Sequence, residues 1–237
     1  MKSSIWGPYA WITLHTIPLN SIIQNRKTCS FAKEWLHLLR SILPCAECQK
    51  HFGWYLADHP PSSQMTPQEL HHYICQLHNH VSAANGSAAW PPHKVHSLYG
   101  FNPENPSSSQ LRSWSRNWLL FLYLALHSPQ TNYQDLLKFA HITGQQFPWN
   151  SANESKLWDT MLAVAPSTRA QAFAWFEEFK PQWFSIWKQQ QPRTPSHTIW
   201  PPSLIESPYL KRMKWMLAGS ERNVPPALGS WVSLPVS

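Results

Sequence analysis

The hydrophobic positions of this chain recur every three to four residues, the spacing of helices, and almost no segment alternates with the two-residue period of a strand. Residues 9–24 form the first periodic stretch, and its regular part ends at Pro18. Residues 31–40 form a second, strongly amphipathic stretch. Ser30 precedes it as a candidate N-cap, with Glu34 near the first turn. The pattern therefore predicts two consecutive helices.

Two further helices are predicted downstream, each with its own start signal. Pro44 breaks the chain and fits the first turn of a helix that carries residues 45–57. A turn rich in Pro and Ser follows at 59–63. The next helix covers residues 66–84, and Gly86 is expected to stop it.

The rest of the chain divides by composition. Residues 87–108 are rich in Ser, Pro and Asn and are interpreted as a connector. Helical spacing then returns, and beyond about Gln190 the chain becomes Pro-rich. This tail is expected either to pack along the helices or to serve as a flexible arm, with one short helix at about 208–218. The expected fold class is all-α.

Composition limits the classes of protein to which the chain can belong. With 43% hydrophobic residues and 15 Trp among 237 residues, it has ample apolar surface for a core, which excludes a wholly disordered chain. Only 7 Gly are present, and no Gly-rich phosphate-loop motif occurs. No apolar run reaches the ~18–20 residues of a membrane span. The net charge of +7 comes from scattered residues, so no nucleic-acid function is expected.

The four cysteines point to redox chemistry. They are too few for a disulfide-stapled scaffold of this length, and they include one C-x-x-C pair, Cys45 and Cys48. The first residues show neither the apolar stretch of a signal peptide nor the Arg-rich character of a transit peptide. In a non-secreted protein such a pair is typical of a transient, catalytic disulfide. Two alternatives stay open: two idle reduced cysteines, or a zinc-binding module that uses the pair, His51 and one further ligand.

The position of the pair on its predicted helix favours the redox interpretation. Cys45 falls at the first turn, where unpaired N–H groups and the positive end of the helix dipole favour a thiolate. The thiolate is the nucleophile of disulfide exchange. Cys48 lies one turn further on, within disulfide reach. A thiol oxidase also needs an electron acceptor, and helices lined by aromatic and His side chains can hold a flat cofactor such as flavin by stacking.

Several short motifs occur in a fixed order along the first 86 residues. They are Trp6-Gly7-Pro8, Trp11-x-x-x-His15, Pro44-Cys45-Ala46-Glu47-Cys48, His51-Phe52, Leu56 with His59-Pro60, and Cys75-Gln76-Leu77-His78-Asn79-His80-Val81. In this order and combination they resemble the Erv/ALR sulfhydryl oxidases, FAD-linked enzymes that make disulfides and pass the electrons to dioxygen. The resemblance covers about residues 5–86.

The resemblance implies a four-helix bundle around FAD and a role for each motif. By it, Cys48 would face the flavin and Cys45 would be attacked by substrate thiols. The implied cofactor-binding residues are Trp6, Gly7, Trp11, His15, Cys75, His78, Asn79, Val81 and Ser82. No resident metal is implied. The implied partners are dithiol protein substrates or a small redox carrier protein, with dioxygen as the acceptor that yields hydrogen peroxide.

The sequence departs from the family pattern after the last motif. Ser82 stands where the family usually has a second Asn, and Asn85-Gly86-Ser87 stands where a Leu-Gly-Lys run is common. Phosphate contacts are therefore expected from His93, Lys94 or the distal half. No cysteine follows Cys75. Cys29 is interpreted as a bystander, with an intermolecular link or a pairing with Cys75 left open.

The distal half echoes the first half at an offset of 112. Trp118, Tyr123 and His127 each lie 112 residues after a residue of the first half, namely Trp6, Trp11 and His15. Further on, residues 147–150 resemble 43–45, residues 162–166 resemble 56–60, and residues 173–176 resemble 73–75. The hypothesis is a degenerate second bundle that has lost its redox pair and forms an intrachain pseudo-dimer with the first. Spacings shared by any two amphipathic bundles are the alternative explanation.

Four segments follow from these patterns. Residues 1–90 are expected to form an Erv/ALR-like oxidase domain, 91–108 a connector, 109–190 a cysteine-free helical domain and 191–237 a tail. Because the family motif begins at Trp6, the layout resembles the enzymes of large cytoplasmic DNA viruses, which implies host cytoplasm or virion as the location. Homodimerisation remains open beside the pseudo-dimer. The competing class is a non-enzymatic helical scaffold.

Overall fold

The structure, a computed structural model, describes residues 3–99, 101–104, 115–149 and 151–190. Within these ranges every regular element is a helix, which confirms the all-α fold class. The helices are α1 Ser3–Ile23, α2 Ala32–Ile42, α3 Ala46–Asp58, α4 Pro67–Ala84, α5 Pro92–Tyr99, α6 Ser115–His127, α7 Tyr133–Gln146, α8 Ala152–Ala163 and α9 Arg169–Gln190. The described helices α1–α8 and most of α9 belong to one compact unit, which ends at Ile186. The predicted short helix at 208–218 lies outside the described residues.

Helix α1 is longer than its sequence pattern predicts. It begins at Ser3 and passes through both Pro8 and Pro18 before it ends at Ile23. A proline inside a helix removes one backbone hydrogen bond and costs ~3 kcal/mol. α1 is buried along most of its length and packs against α4 and α6. This tertiary burial, which a single-sequence pattern cannot show, offsets the cost of the prolines.

The start of α2 corrects one prediction. Ser30 does not cap the helix; the N-cap is Phe31, which has αR backbone angles and makes no side-chain capping bond. The chain enters through a turn in which the N–H of Ala32 donates to the carbonyl of Cys29 at 2.9 Å. The amphipathic pattern itself holds, because α2 buries Trp35 completely and packs between α3 and α7.

The predicted start of α4 is confirmed, and α3 begins within a residue of its predicted start, but Pro44 precedes the N-cap and so lies outside the first turn in which it was predicted. Cys45 is the N-cap of α3, directly after Pro44. Thr66 caps α4 in a full capping box, in which Thr66 accepts the N–H of Glu69 while the Glu69 carboxylate accepts the N–H of Thr66. Gly86 takes φ of +66° just after α4, the left-handed conformation that ends a helix.

Part of the predicted connector is a helix. α5 covers residues 92–99, inside the segment interpreted as 87–108. Its polar, Pro-rich composition gives no clear hydrophobic periodicity, since only a few of its side chains are apolar. These pack into a shared cluster with α1 and α4, formed by Ile12, Leu19, Cys75, Val95, Tyr99 and Phe101. α5 therefore belongs structurally with the first four helices.

The distal helices pack directly on the first set. α6 lies against α1, and α7 lies against α2. The Trp35 ring stacks on Phe139 with centroids 5.6 Å apart, and its Nε1 donates to Thr143 Oγ1 at 2.8 Å. Asn20 Nδ2 donates to the carbonyl of Gln146 at 2.7 Å. None of the described helices combines the length and the apolarity needed to cross a membrane.

Candidate active site

The predicted redox pair lies at the N-terminus of α3. Cys45 and Cys48 form a disulfide, with Cα atoms 5.2 Å apart. The N–H of Cys48 donates to Cys45 Sγ at 3.2 Å, so the sulfur serves as the capping acceptor of the helix. A sulfur in this position lies against unpaired N–H groups and the positive end of the dipole, both of which stabilise a thiolate.

Gln49 fixes this helix end to its neighbours. Its Nε2 lies within hydrogen-bond distance of three carbonyl oxygens, those of Ser41 at 3.3 Å, Leu43 at 2.9 Å and Gln130 at 3.0 Å. The first two belong to the end of α2, and the third belongs to the connection between α6 and α7. The position of the redox pair therefore depends on both halves of the chain.

A second group of predicted residues forms a ring stack between α1 and α4. The rings of Trp11 and His78 are stacked, with centroids 4.1 Å apart and planes 10° from parallel. His78 also stacks with Trp90, with centroids 5.6 Å apart and planes 16° from parallel. His15 Nε2 lies 2.9 Å from His78 Nδ1, a hydrogen bond between two imidazoles. The structure thus brings three of the predicted cofactor residues together.

Asn79 anchors the segment that follows α4. Its Nδ2 donates to the carbonyl of Trp90 at 3.1 Å, and its Oδ1 accepts the N–H of Trp90 at 2.6 Å. This two-bond pairing holds Trp90 beside His78. The amide expected to contact the cofactor is here engaged with the backbone of the chain, and its contribution to the stack is to position Trp90.

The remaining predicted cofactor residues have more varied surroundings. Trp6 is buried and its ring faces Phe121 on α6 at 6.4 Å. Cys75 is a free, buried thiol, as is Cys29, so the two do not pair in this structure. The others are Gly7 within α1, the half-buried Val81, and the buried Ser82, whose carbonyl accepts the N–H of Ser87.

A cleft of about 320 Å³ lies between α3 and α4. It is lined by Tyr55, His59, Gln76, Asn79 and His80. The rings of Tyr55 and His59 are stacked at 4.5 Å. Tyr55 was not predicted from the sequence, and Gln76 appeared there only as part of the motif at 75–81. Tyr55 follows Cys48 by seven residues, which is about two helical turns. This spacing places both residues on the same face of α3, and it could have identified Tyr55 from the sequence.

The histidines of the ring stack are held neutral. Burial, reinforced by His78 and the neighbouring imidazoles of His71 and His96, keeps the pKa of His15 well below its ordinary value. Burial lowers the pKa of His78 to about 4. Near neutral pH both rings are therefore uncharged hydrogen-bonding groups, which suits contact with an uncharged aromatic ligand.

The geometry does not favour zinc at the C-x-x-C motif. Cys45 and Cys48 are joined to each other. The His51 side chain is 64% exposed and lies 3.9 Å from the Glu47 carboxylate, with its ring beside Trp54. A structural zinc site needs four ligands that converge on one point.

Comparison with known proteins agrees with the arrangement of this segment. Residues 8–100 match the model of the Erv1/Alr family. The matched segment includes α5, which extends the similarity beyond the motifs at 5–86. The rest of the chain lies outside the match.

Two curated proteins are similar to the chain over 98 residues. They are the FAD-linked sulfhydryl oxidases ERV1 of Arabidopsis thaliana and of Oryza sativa subsp. japonica, each 29% identical. Each alignment covers 40% of this chain, and 49% and 48% of the respective relative. The chain thus spans about half the length of these relatives. The search of solved structures found no significant match.

Proposed function

We propose that the chain is an FAD-linked thiol oxidase that forms disulfide bonds in dithiol substrates. The observation that carries the proposal is the Cys45–Cys48 disulfide at the N-terminus of α3, with Cys45 Sγ accepting the N–H of Cys48. The Erv1/Alr match of residues 8–100 and the names of the two plant relatives support it.

The geometry of the pair supports a two-step exchange. A substrate thiolate attacks Cys45 Sγ, forms a mixed disulfide and releases Cys48 as a thiolate. The second substrate thiolate then attacks the substrate sulfur of the mixed disulfide and releases Cys45. The departing Cys45 thiolate is stabilised by the Cys48 N–H, which favours it as a leaving group. The substrate loses two electrons and two protons, and the enzyme pair gains the electrons.

The ring stack fits a flat cofactor in its chemistry. Trp11, His78 and Trp90 present near-parallel rings, and His15 has a buried Nδ1 with no partner within the described protein. These residues, with Asn79, would hold FAD. Bound FAD would accept the two electrons of the reduced cysteine pair. These side chains would bind and orient the cofactor by stacking and hydrogen bonding. The neutral imidazoles add no charge to the site.

The proposed reaction also includes an electron acceptor, a class of thiol substrate and a location. Dioxygen is proposed as the acceptor, with hydrogen peroxide as the product, and protein dithiols or a small redox carrier as the donors. The enzymes of large cytoplasmic DNA viruses remain the proposed type, with host cytoplasm or virion as the location.

The test begins with the absorbance spectrum of the purified chain and its oxygen uptake on addition of dithiothreitol. We expect flavin bands and dithiol-dependent uptake, with uptake lost in Cys45→Ser and Cys48→Ser. Cys29→Ala is the matched control, because Cys29 is a free cysteine outside the pair. A colourless chain that shows no uptake when FAD is supplied would contradict the proposal and favour a scaffold. Unchanged uptake in Cys48→Ser would contradict the assigned pair.

We also propose that α6–α9 form a degenerate copy of the first four helices. The first helices of the two sets pack together, α1 with α6, and so do the second, α2 with α7, as in a two-fold dimer. The third helices share a local detail: the N–H of Glu154 donates to Ser151 Oγ at 3.2 Å, as the N–H of Cys48 donates to Cys45. In this register Ser151 takes the place of Cys45, rather than Trp149 as the sequence echo suggests.

A further inference from the structure

We propose that a groove beside the Cys45–Cys48 pair binds an extended segment of the dithiol substrate in which acidic and basic side chains alternate. The groove lies between α2 and α3 and is bordered by Asp135 near the start of α7. Its volume is about 700 Å³, within the range of about 300–1,000 Å³ that is typical of ligand pockets. The choice of a thiol polypeptide as the occupant rests on the proposed function, because such a substrate must approach this pair to be oxidised.

One end of the groove lies next to the cysteine pair. Ala46 lines the groove and directly follows Cys45, which is half-buried. Trp54 lines it eight residues further along α3, so the groove follows this helix for about 12 Å at 1.5 Å per residue. An extended chain advances about 3.3 Å per residue, so about four residues of a substrate fit along it. A segment that flanks a substrate cysteine can therefore lie in the groove while the cysteine reaches Cys45.

The α3 side of the groove carries positive charge. Lys50 is exposed on α3, and its Nζ lies 4.9 Å from the centre of the Trp54 ring. Arg40 belongs to α2, but its guanidinium lies over Gly53 of α3, where an added Cβ would be 2.8 Å from Arg40 Cζ. Neither cation pairs with a carboxylate in the part of the chain that the structure describes, so both charges are available to a ligand.

The α2 side of the groove carries negative charge. Glu34 lies on α2, and Asp135 lies on α7, which packs against α2. Neither carboxylate forms an ion pair with another described residue. His37 on α2 is the remaining ionisable group of the lining, and the buried Leu38 supplies an apolar part of it. The two sides of the groove thus have opposite charge.

This division of charge determines the kind of segment that fits. Alternate side chains of an extended chain point in opposite directions. An acidic side chain that faces the cations of α3 therefore directs its neighbours towards the carboxylates of the other side, where basic side chains are complementary. Trp54 is 55% exposed and offers an aromatic surface at the far end of the groove. A small thiol is too short to contact both sides, so the groove favours a polypeptide.

The first test measures binding to the complete chain. The probe is a fluorescent linear peptide in which alternating Glu and Lys flank two serines, which replace the substrate cysteines so that no exchange occurs. A second peptide has Gln at every Glu and Lys position. We expect fluorescence anisotropy to give a Kd at least about tenfold lower for the alternating peptide, with a smaller difference in high salt. Equal affinities for the two peptides overturn the proposal.

Charge reversal then locates the binding site. Lys50→Glu should weaken binding of the alternating peptide at least about tenfold, and it should bind a peptide with Lys in place of each Glu more tightly than wild type does. Lys33→Glu is the matched control, because Lys33 is an exposed lysine of α2 outside the lining of the groove. An all-Lys peptide that gains no affinity from Lys50→Glu overturns the proposal. Such a gain cannot come from unfolding, and circular dichroism checks each variant.

Oxygen uptake separates this inference from the proposed function. Dithiothreitol is too small to span the groove, so it tests the oxidase activity alone, whereas dithiol forms of the two peptides test the groove as well. A chain that binds the alternating peptide selectively but takes up no oxygen with dithiothreitol would contradict the proposed function alone. A chain that oxidises dithiothreitol, and both dithiol peptides with equal KM, would contradict the groove alone.

Discussion

Cys45 has two separate tasks in this structure. Its sulfur forms half of the disulfide with Cys48 and also accepts the N–H that caps α3. The two tasks make different demands, since disulfide exchange needs sulfur whereas capping needs only an acceptor atom at that position. Ser151 performs the capping task alone at the start of α8.

Cys45→Ser and Cys45→Ala should therefore differ in stability and agree in activity. Both remove the disulfide, so we expect both to lose oxygen uptake. Serine keeps a capping acceptor, and we expect Cys45→Ser to be more stable than Cys45→Ala by about 1 kcal/mol. Urea unfolding under reducing conditions measures the difference. Equal midpoints for the two variants would show that the cap at Cys45 has no energetic role.

Two helical glycines provide a second comparison. A Cβ on Gly144 would overlap the indole of Trp158, which is fully buried, whereas a Cβ on Gly53 would meet the end of the flexible Arg40 side chain at 2.7 Å. We expect Gly144→Ala to lower the free energy of unfolding by about 1–3 kcal/mol because of overpacking. Gly53→Ala should be neutral or slightly stabilising, since Arg40 can move and alanine favours a helix. Thermal unfolding of both variants checks this, and an equally unstable Gly53→Ala would refute the explanation.

His127 should make stability depend on pH. Burial lowers its pKa, although Glu177 on α9 acts in the opposite direction, and its Nε2 has no partner within the described protein. Below pH 6.5 the unfolded chain takes up a proton that the folded chain does not, so this residue's contribution to stability falls as pH falls. Replacing it with Phe should remove that part of the slope.

The measurement is urea unfolding of wild type and His127→Phe between pH 5 and 8. We expect the variant to gain relative stability steadily below pH 6.5. His141→Phe is the control, since His141 is exposed on α7. A constant difference between wild type and His127→Phe across this range would contradict the assignment.

The position of a single residue was predictable where a signal in the neighbouring sequence determines it. Pro44 breaks the helix pattern, so the position of Cys45 at a helix start followed from sequence. Asn79 was different, because its partner Trp90 lies eleven residues on, across a loop that carries no periodic signal. The contact between His71 and His96 was also not predicted, since the two residues meet only when α5 packs against α4.

The start of α4 offers a test of local helix signals. Thr66 and Glu69 form the capping box, and the hydrogen bonds from Thr66 to the carboxylate lower the pKa of Glu69. We expect Thr66→Ala to lower the free energy of unfolding by about 1 kcal/mol. The contribution of Glu69 is present above pH 4.5 and is lost as pH falls through its lowered pKa. Urea unfolding at pH 7 measures the effect, with the exposed Ser63→Ala as control; equal losses in both variants would count against the capping role.

Helices were predictable where strong periodicity and a clear start signal coincide. α3 and α4 have both, and their predicted bounds agree closely with the structure. α5 begins at Pro92 but lacks strong periodicity, and it forms because Val95 and Tyr99 are buried against α1 and α4. The early start of α1 also depends on burial, which overrides the two prolines. Local pattern fails at both places because the stabilising contacts come from distant parts of the chain.

One face of α1 and one face of α2 are covered by other helices of the same chain. α6 and α7 cover α1 and α2, and Trp35 reaches across to Phe139 and Thr143. A second copy would find these surfaces buried. The sequence echo predicted two helical halves, but it could not show which faces meet, since that choice depends on complementary shapes such as this tryptophan and its partners.

We therefore expect the complete chain to be a monomer. Light scattering after gel filtration should give a mass near the 27.5 kDa of one chain. Trp35→Ala should destabilise it by about 3–5 kcal/mol, because the substitution leaves a large cavity in the contact between the halves. His37→Ala, an exposed position on the same helix, is the control. A stable dimer of the wild-type chain would contradict the expected monomer and show that another face joins two copies.

The disulfide joins residues only three apart, on a single turn at one end of α3. In the chain-entropy account, opening so small a ring releases about 2 kcal/mol of constraint, against about 4.7 for a ring of a hundred residues. The distant parts of the fold do not rely on this bond to stay together. Under the proposed activity, reduction and reoxidation of this bond would leave the helical packing intact. The resistance of the protein to unfolding over many rounds would then depend on the helices and not on the disulfide.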